Sequence, residues 1–231
     1  MNWDPRKLDS EWPFEALGTH FTLDAEPVAL IVVDMQSDQM TIRPDSPLAN
    51  ECPKIRDYWN RRLNDSVVPN IQRLIDLFRN QNRKIVYTRN GNMTATGDEV
   101  TGRLKAKLSR RTNISHRNSP GYQIDDRLAP RDVDLVVDKL TSGAFTSSFL
   151  DHALRNMGIR SVIMAGILTD ACVFGTARAA AELGYNSLIC EDACATFTQR
   201  AHEEALLMHA RMFGRVDTTD AVLSELEASS S

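Results

Sequence analysis

The sequence predicts an α/β protein in which an open parallel sheet carries helices on both faces. Short apolar, β-branched runs recur along the chain, and segments with helical spacing of apolar residues separate them. Strand and helix therefore alternate about five or six times, which is typical of parallel sheets built from βαβ units. The strand candidates are apolar throughout rather than alternating, as expected for strands buried on both faces.

The predicted elements follow from these patterns in chain order. The strands are VALIVV at 28–33, KIVYT at 84–88, VDLVV at 133–137, SVIMAG at 161–166, NSLIC at 186–190 and a short segment at Val216. The helices are predicted at 67–78, 149–157, 172–183, 200–213 and 219–227. Gly158 and Gly184 stand just after two of these helices, where glycine commonly ends a helix.

The chain of 231 residues fits a single domain, predicted at 28–231, with an N-terminal extension at 1–27. The extension holds aromatic residues without periodicity, so we expect it to wrap over the domain or over a neighbouring subunit. A second segment, 91–130, is basic and has little strand pattern. Connections of that length are usually functional or interfacial, although a solvated basic helix and loop fits equally well.

The composition is that of a soluble globular protein, with 42% hydrophobic and 25% charged residues. A net charge of -4 gives no basic field for binding nucleic acid. No run of about 18 apolar residues predicts a membrane span, and the first residues lack the apolar core of a secretory signal. We therefore expect a cytoplasmic protein whose four cysteines are thiols.

Three polar residues lie at or just beyond the carboxyl ends of predicted strands: Asp34, Lys139 and Cys172. Ligand crevices of open α/β sheets lie at this edge, so neighbouring strands would bring the three side chains together. A helix N-terminus and a lysine near Cys172 would favour the thiolate, and a carboxylate in reach could serve as base. Alone, each residue has a common structural explanation, such as a buried cysteine that acts as a small hydrophobe.

Three segments carry a resemblance to a known family. They are ALIVVDMQSD, VVDKLTSGAFTSSFL and GILTDACVFGTARAAAELGY, in this order. In these residues, and over about 28 to 215, the chain resembles the isochorismatase-like cysteine hydrolases, which include nicotinamidases, N-carbamoylsarcosine amidohydrolases and ureidoacrylate amidohydrolases. The resemblance implies a three-layer α/β/α fold with a six-stranded parallel sheet in the order 3-2-1-4-5-6.

The resemblance also implies the chemistry. It assigns Asp34, Lys139 and Cys172 to a catalytic triad, and a non-proline cis peptide to the bond between Ile167 and Leu168. The backbone N–H groups of Leu168 and Cys172 would bind the oxyanion. The expected reaction is hydrolysis of a C–N bond in a small amide, carbamoyl or ureido compound, by a homodimer or homotetramer without a cofactor.

The sequence departs from the family pattern at two places. Nicotinamidases carry an Asp-x-His metal cluster after the second strand, whereas YTRNGNMTATGDE contains no histidine, so we expect no metal. Gln39 stands where many relatives have a phenylalanine that lines the pocket, which indicates a more polar wall. The predicted substrate contacts are Gln39, Arg89, Asn90, Phe145 and Ser147, although Arg89 could equally form a structural ion pair.

Alternatives remain at this level. A true isochorismatase cleaves a vinyl ether by protonation and needs no nucleophilic thiol, and a non-catalytic family member would serve as a binding protein. A zinc site from Cys190, Cys194 and His202 has suitable C-x3-C spacing but lacks a second compact ligand pair.

Overall fold

The computed structural model describes residues 3–14, 21–23, 27–42, 44–100 and 116–228. Its core is one six-stranded sheet in which every neighbouring pair is parallel and the strand order is β3-β2-β1-β4-β5-β6. The strands are β1 (Val28–Val33), β2 (Lys84–Asn90), β3 (Leu135–Lys139), β4 (Ser161–Ile167), β5 (Asn186–Ala195) and β6 (Arg215–Asp217). The predicted fold class and strand order are confirmed.

Helices cover both faces of the sheet. In the described residues they are α1 (Pro5–Leu8), α2 (Pro47–Glu51), α3 (Pro53–Arg62), α4 (Val68–Asn80), α5 (Leu150–Asn156), α6 (Phe174–Glu182), α7 (Gln199–Met212) and α8 (Thr219–Ala228). Two wide π-helical turns, Leu63–Val67 and Thr169–Val173, precede α4 and α6. No helix in these ranges is long and apolar enough to span a membrane.

The central strands divide the core into two halves. All residues of β1 and β4 are buried, because successive side chains point to opposite faces and both faces are covered. Leu30 and Val32 of β1 pack in one cluster with residues of α3, α4 and α8. Ala29 and Ile31 pack in the other, with residues of α5, α6 and α7. This gives the three-layer arrangement.

Two differences between the pattern-based boundaries and the structure have a clear physical cause. β3 begins two residues later than predicted, because Val133 is 84% exposed and the Asp134 carboxylate pairs with Arg79 rather than entering the sheet. Helices α2 and α3 are absent from the predicted list, because their sequence shows no sustained apolar stripe. Trp59 is the buried residue that ties α3 to the core.

The described parts of the N-terminal extension pack against the domain. Asp9 pairs with Arg211 of α7, and the Leu23 N–H donates to the Glu225 carboxylate of α8 at 2.7 Å. In the 91–130 segment, residues 101–115 lie outside the described ranges. The part from 116 to 128 packs beside the loop after β1, where the Ser37 N–H donates to the Gln123 carbonyl at 2.9 Å. This segment therefore borders the carboxyl edge of the sheet.

Candidate active site

Asp34 is held at the end of β1 by its backbone and by its carboxylate. Its φ of 53° lies in the left-handed region, which aspartate tolerates better than most residues. Its N–H donates to the Thr88 carbonyl at 3.1 Å, and the Thr88 hydroxyl donates to Asp34 Oδ1 at 2.7 Å. The residue is 1% exposed, so its carboxylate is presented to the interior of the site rather than to bulk water.

Lys139 forms a buried ion pair with Asp34. Its Nζ lies 2.7 Å from Asp34 Oδ2, and its side chain is fully buried. The two residues do not stand on neighbouring strands, because β2 lies between β1 and β3, and the long lysine side chain spans this distance. Nζ also donates to the Thr141 carbonyl at 3.0 Å. Burial lowers the pKa of Lys139, but the charge of Asp34 and the hydrogen bonds to Asp34 and Cys172 outweigh it and raise that pKa, so the ammonium is retained.

Cys172 lies inside the π-helical turn Thr169–Val173, ahead of the regular helix α6. The helix predicted to start at Cys172 therefore begins two residues later, at Phe174. The Leu168 carbonyl accepts two hydrogen bonds at 3.0 Å, from the N–H groups of Ala171 and Val173. The peptide bond that leads into this turn, Ile167–Leu168, is cis.

The Cys172 thiol completes a compact group with the ion pair. Asp34 and Lys139 both act on the pKa of this thiol, by charge and by hydrogen bonding. Burial and the charge of Asp34 raise the pKa of the thiol to about 11, and Lys139 only partly offsets this rise. The helix N-terminus and the lysine were expected to favour the thiolate; instead, desolvation and the Asp34 charge raise the thiol pKa. A protonated thiol beside a carboxylate is suited to proton transfer during nucleophilic attack.

A close contact between two glycines docks the turn after β3 onto the start of α6. A Cβ on Gly143 would lie 3.1 Å from the Gly175 carbonyl oxygen, and one on Gly175 would lie 3.4 Å from the Gly143 nitrogen. Beside this contact, the Ala144 N–H donates to the Thr176 hydroxyl at 3.1 Å. The small residues thus let the segment after Lys139 approach the helix that follows Cys172.

Two of the predicted substrate contacts belong to a polar layer beside the ion pair. Gln36 is fully buried, and its Oε1 accepts from the Asn90 N–H at 2.8 Å and from Gln39 Nε2 at 3.1 Å. Asn90 Nδ2 donates at 3.1 Å to the Thr141 carbonyl, which also accepts from Lys139. Gln39 and Asn90 are therefore connected through hydrogen bonds to the candidate site.

Arg89 has a different environment. Successive strand residues face opposite sides, so Arg89 is directed away from Asn90. Its Nε donates to Asp138 at 2.8 Å and its NH1 to Gln123 at 2.5 Å, and its guanidinium lies 5.0 Å from the centroid of the Tyr122 ring. The alternative interpretation of Arg89 was a structural ion pair, and the structure shows one with Asp138.

Phe145 and Ser147 both have structural contacts. The Phe145 ring packs on Tyr185, just before β5, with 5.7 Å between ring centroids. The Ser147 hydroxyl accepts from the N–H groups of Leu140 and Thr141 at 3.0 and 3.1 Å. Both side chains support the loop after β3, and their predicted role as substrate contacts stays a prediction.

Sequence reasoning missed Thr88 and Gln36 as site residues. Thr88 closes the predicted strand KIVYT, so its position at the carboxyl edge was the available signal. Gln36 lay in the quoted motif without an assigned role. Of the zinc candidates, His202 contacts Thr169 and Arg62 instead. In the described ranges no three His, Cys, Asp or Glu side chains are grouped to hold a metal ion.

Comparison with known proteins identifies the family. Residues 28–221 match the isochorismatase domain. The chain belongs to the isochorismatase family of hydrolases. It is 26% identical to a ureidoacrylate amidohydrolase of Acinetobacter baylyi, over 92% of this chain and 93% of that protein. It is 27% identical to an N-carbamoylsarcosine amidase of an Arthrobacter species, over 71% of this chain and 62% of that one.

The fold is similar to that of solved family members. The crystal structure of a cysteine hydrolase from Pseudomonas syringae pv. phaseolicola superposes with a TM-score of 0.75. That comparison covers 91% of this chain and 97% of the other at 24% identity, and it concerns the fold alone.

Proposed function

We propose that this hydrolase cleaves the C–N bond of a small amide, carbamoyl or ureido compound through a covalent intermediate on Cys172. One observation carries the proposal: Cys172 is partly exposed, and its thiol interacts with a buried carboxylate that a lysine holds in place. This is the arrangement of a nucleophile, its base and the group that orients the base. Two similar proteins are amidohydrolases of ureido and carbamoyl compounds by name, which supports the same bond type.

In the first step, the Cys172 sulfur attacks the carbonyl carbon while Asp34 accepts the thiol proton. With a thiol pKa of about 11, little thiolate exists at neutral pH, so proton transfer accompanies attack. A C–S bond forms and the carbonyl π electrons move onto oxygen. The N–H groups of Leu168 and Cys172 are proposed to stabilise that oxyanion.

In the second step, the oxyanion collapses and the C–N bond breaks. Protonated Asp34 gives its proton to the departing nitrogen, which leaves as ammonia or an amine. A thioester or thiocarbamate remains on Cys172. Asp34 then removes a proton from water, the resulting hydroxide adds to the carbonyl carbon, and the proton returns to sulfur as the C–S bond breaks. Lys139 stays cationic beside Asp34 throughout, which fixes the carboxylate between sulfur and substrate.

Trapping the intermediate tests this function. Purified protein is mixed with a panel of primary amides, carbamoyl amino acids and ureido acids, and ammonia release is measured. Samples quenched in acid within the first turnovers are analysed by intact mass and peptide mapping. We expect ammonia release from at least one class and an acyl or carbamoyl adduct on Cys172.

Controls separate the competing chemistry. The Cys172→Ala variant should give neither ammonia nor adduct, and pyruvate release from isochorismate measures vinyl ether cleavage in parallel. Pyruvate release that survives Cys172→Ala, with no ammonia from any amide, would contradict the proposed function.

A further inference from the structure

A buried hydrogen-bond network lies behind the turn that carries Cys172. His202 of α7 is 1% exposed, and its Nδ1 is 2.8 Å from the Thr169 hydroxyl. Its Nε2 is 3.2 Å from NH2 of Arg62 on α3. The same guanidinium donates to the carbonyls of Glu191 and Cys194 on β5, at 2.9 and 3.2 Å. The His202 imidazole of α7 thus links the turn to Arg62 of α3, whose guanidinium in turn binds β5.

The contacts fix the direction of each hydrogen bond. A guanidinium only donates, so His202 Nε2 must be the acceptor and Nδ1 must carry the proton. The Nδ1–H group therefore donates to the Thr169 hydroxyl oxygen. Burial and the nearby Arg62 charge lower the pKa of His202 to about 3, which keeps this neutral form at neutral pH. In the turn itself, the Asp170 carboxylate is exposed and accepts from Thr196 at 2.6 Å.

Thr169 occupies a position that matters for the proposed chemistry. It directly follows Leu168, it begins the π-helical turn that contains Cys172, and its side chain is fully buried. Two hydrogen bonds from outside the turn hold its first residues: His202 holds Thr169, and Thr196 holds Asp170. A change in the Thr169 anchor would move the backbone on either side of it.

We propose that His202 is a positioning residue that acts through Thr169 to align the backbone N–H groups of Leu168 and Cys172. The inference rests on the proposed function, because those N–H groups are the ones assigned to the oxyanion. Donors aimed at a developing charge stabilise the transition state more than the bound substrate. A small displacement of these donors therefore slows the reaction. Loss of the anchor should therefore lower kcat and leave KM nearly unchanged.

A second histidine of α7 provides a matched control. His209 is also fully buried, and burial lowers its pKa to about 4. Its Nε2 contacts the Ser187 carbonyl near the start of β5, at 3.3 Å, which is at the other end of the strand from Cys194. Its replacement perturbs the same helix but leaves the link to Thr169 intact.

Steady-state kinetics of four single variants test the inference. For His202→Leu and Thr169→Val we expect kcat to fall by about 10- to 100-fold with KM within about twofold. His202→Asn should recover most of the loss, because its side-chain N–H can take the place of Nδ1–H. His209→Leu should keep the wild-type kcat. The double variant His202→Leu/Thr169→Val should be no slower than the slower single variant, since both remove the same hydrogen bond.

Equal kcat losses in His202→Leu and His209→Leu, or additive losses in the double variant, would overturn the proposal. If His202→Leu does not fold, Thr169→Val and His202→Asn decide the question by the same criteria.

A readout without substrate separates this proposal from the proposed function. In ¹⁵N NMR of the full chain, His202 should show a protonated Nδ1 and an unprotonated Nε2 down to about pH 5. Arg62→Met should remove this tautomer preference. An inactive wild type with the expected tautomer would count against the proposed function only. An Nε2–H tautomer, or an active wild type whose kcat is unaffected by His202→Leu, would count against the positioning role.

Discussion

Two thiol-bearing regions lie at the carboxyl half of the sheet, and they differ in access rather than in acidity. Burial raises the pKa of Cys172 to about 11, that of Cys194 to about 12 and that of Cys190 well above its ordinary value. Cys172 is nevertheless partly exposed, whereas Cys190 and Cys194 in β5 are fully buried. The pKa of the thiol therefore does not distinguish the proposed nucleophile from the other two cysteines.

The partners of the thiols differ as well. Cys172 has both a carboxylate and an ammonium in range. Cys190 lies 3.5 Å from Asp192, but that carboxylate oxygen already accepts from the N–H and the hydroxyl of Thr219, at 2.8 and 2.7 Å. Cys194 lies 3.7 Å from the Met164 carbonyl. The Asp192 oxygen is therefore already engaged at the start of α8, and Cys190 itself is fully buried.

The largest expected difference between the two regions is in turnover. Cys172→Ala should lower kcat by on the order of 10⁴-fold or more, because it removes the nucleophile. Cys190→Ala and Cys194→Ala should keep kcat near that of the wild type and lose about 1–2 kcal/mol of unfolding free energy from the cavity they leave. Ammonia release and urea denaturation measure the two effects. Turnover by Cys172→Ala would show that Cys172 is not the nucleophile.

The next largest effect concerns the buried ion pair of Asp34 and Lys139 beside Cys172. Lys139→Met leaves the Asp34 carboxylate buried without its cation, so we expect a loss of about 3–5 kcal/mol in unfolding free energy and of at least about 100-fold in kcat. The double variant Asp34→Asn/Lys139→Met removes both charges and should regain most of the stability but no activity. A double variant no more stable than Lys139→Met would show that the buried charge was not the cause.

The smallest expected effect is the change in the pKa of the Cys172 thiol when Asp34 is replaced. Burial is the largest cause of the raised Cys172 pKa, and the Asp34 charge is the second. Asp34→Asn removes the second cause, so the thiol pKa should fall below about 11 while Lys139 still favours the anion. One unit of pKa corresponds to about tenfold more thiolate at pH 8, and iodoacetamide labelling rates across pH report it. Cys194, whose pKa Asp34 does not affect, should stay unlabelled, and unchanged labelling of Cys172 would contradict the assignment.

The sheet was largely predictable from the sequence, because a strand buried on both faces has a local signature. β1 matches its predicted range, and β2 and β4 extend their predicted ranges by one or two residues at the carboxyl end. The three polar residues could also be predicted, because a residue that directly follows a strand in the sequence lies at the carboxyl edge of a parallel sheet. Helix α3 was not predicted, because its fully buried apolar residue is a single tryptophan, Trp59, and it has no apolar stripe.

The sequence by itself determined the fold class, the family resemblance and the identity of Asp34, Lys139 and Cys172 as a group. Only the tertiary structure decided how they interact. It showed that Lys139 reaches across β2, that the Thr88 hydroxyl donates to the Asp34 carboxylate, and that burial raises the pKa of the Cys172 thiol. It also directed Arg89 to Asp138 and His202 to Thr169. Desolvation and hydrogen-bond partners depend on residues far apart in the chain, so local sequence patterns carry no information about them.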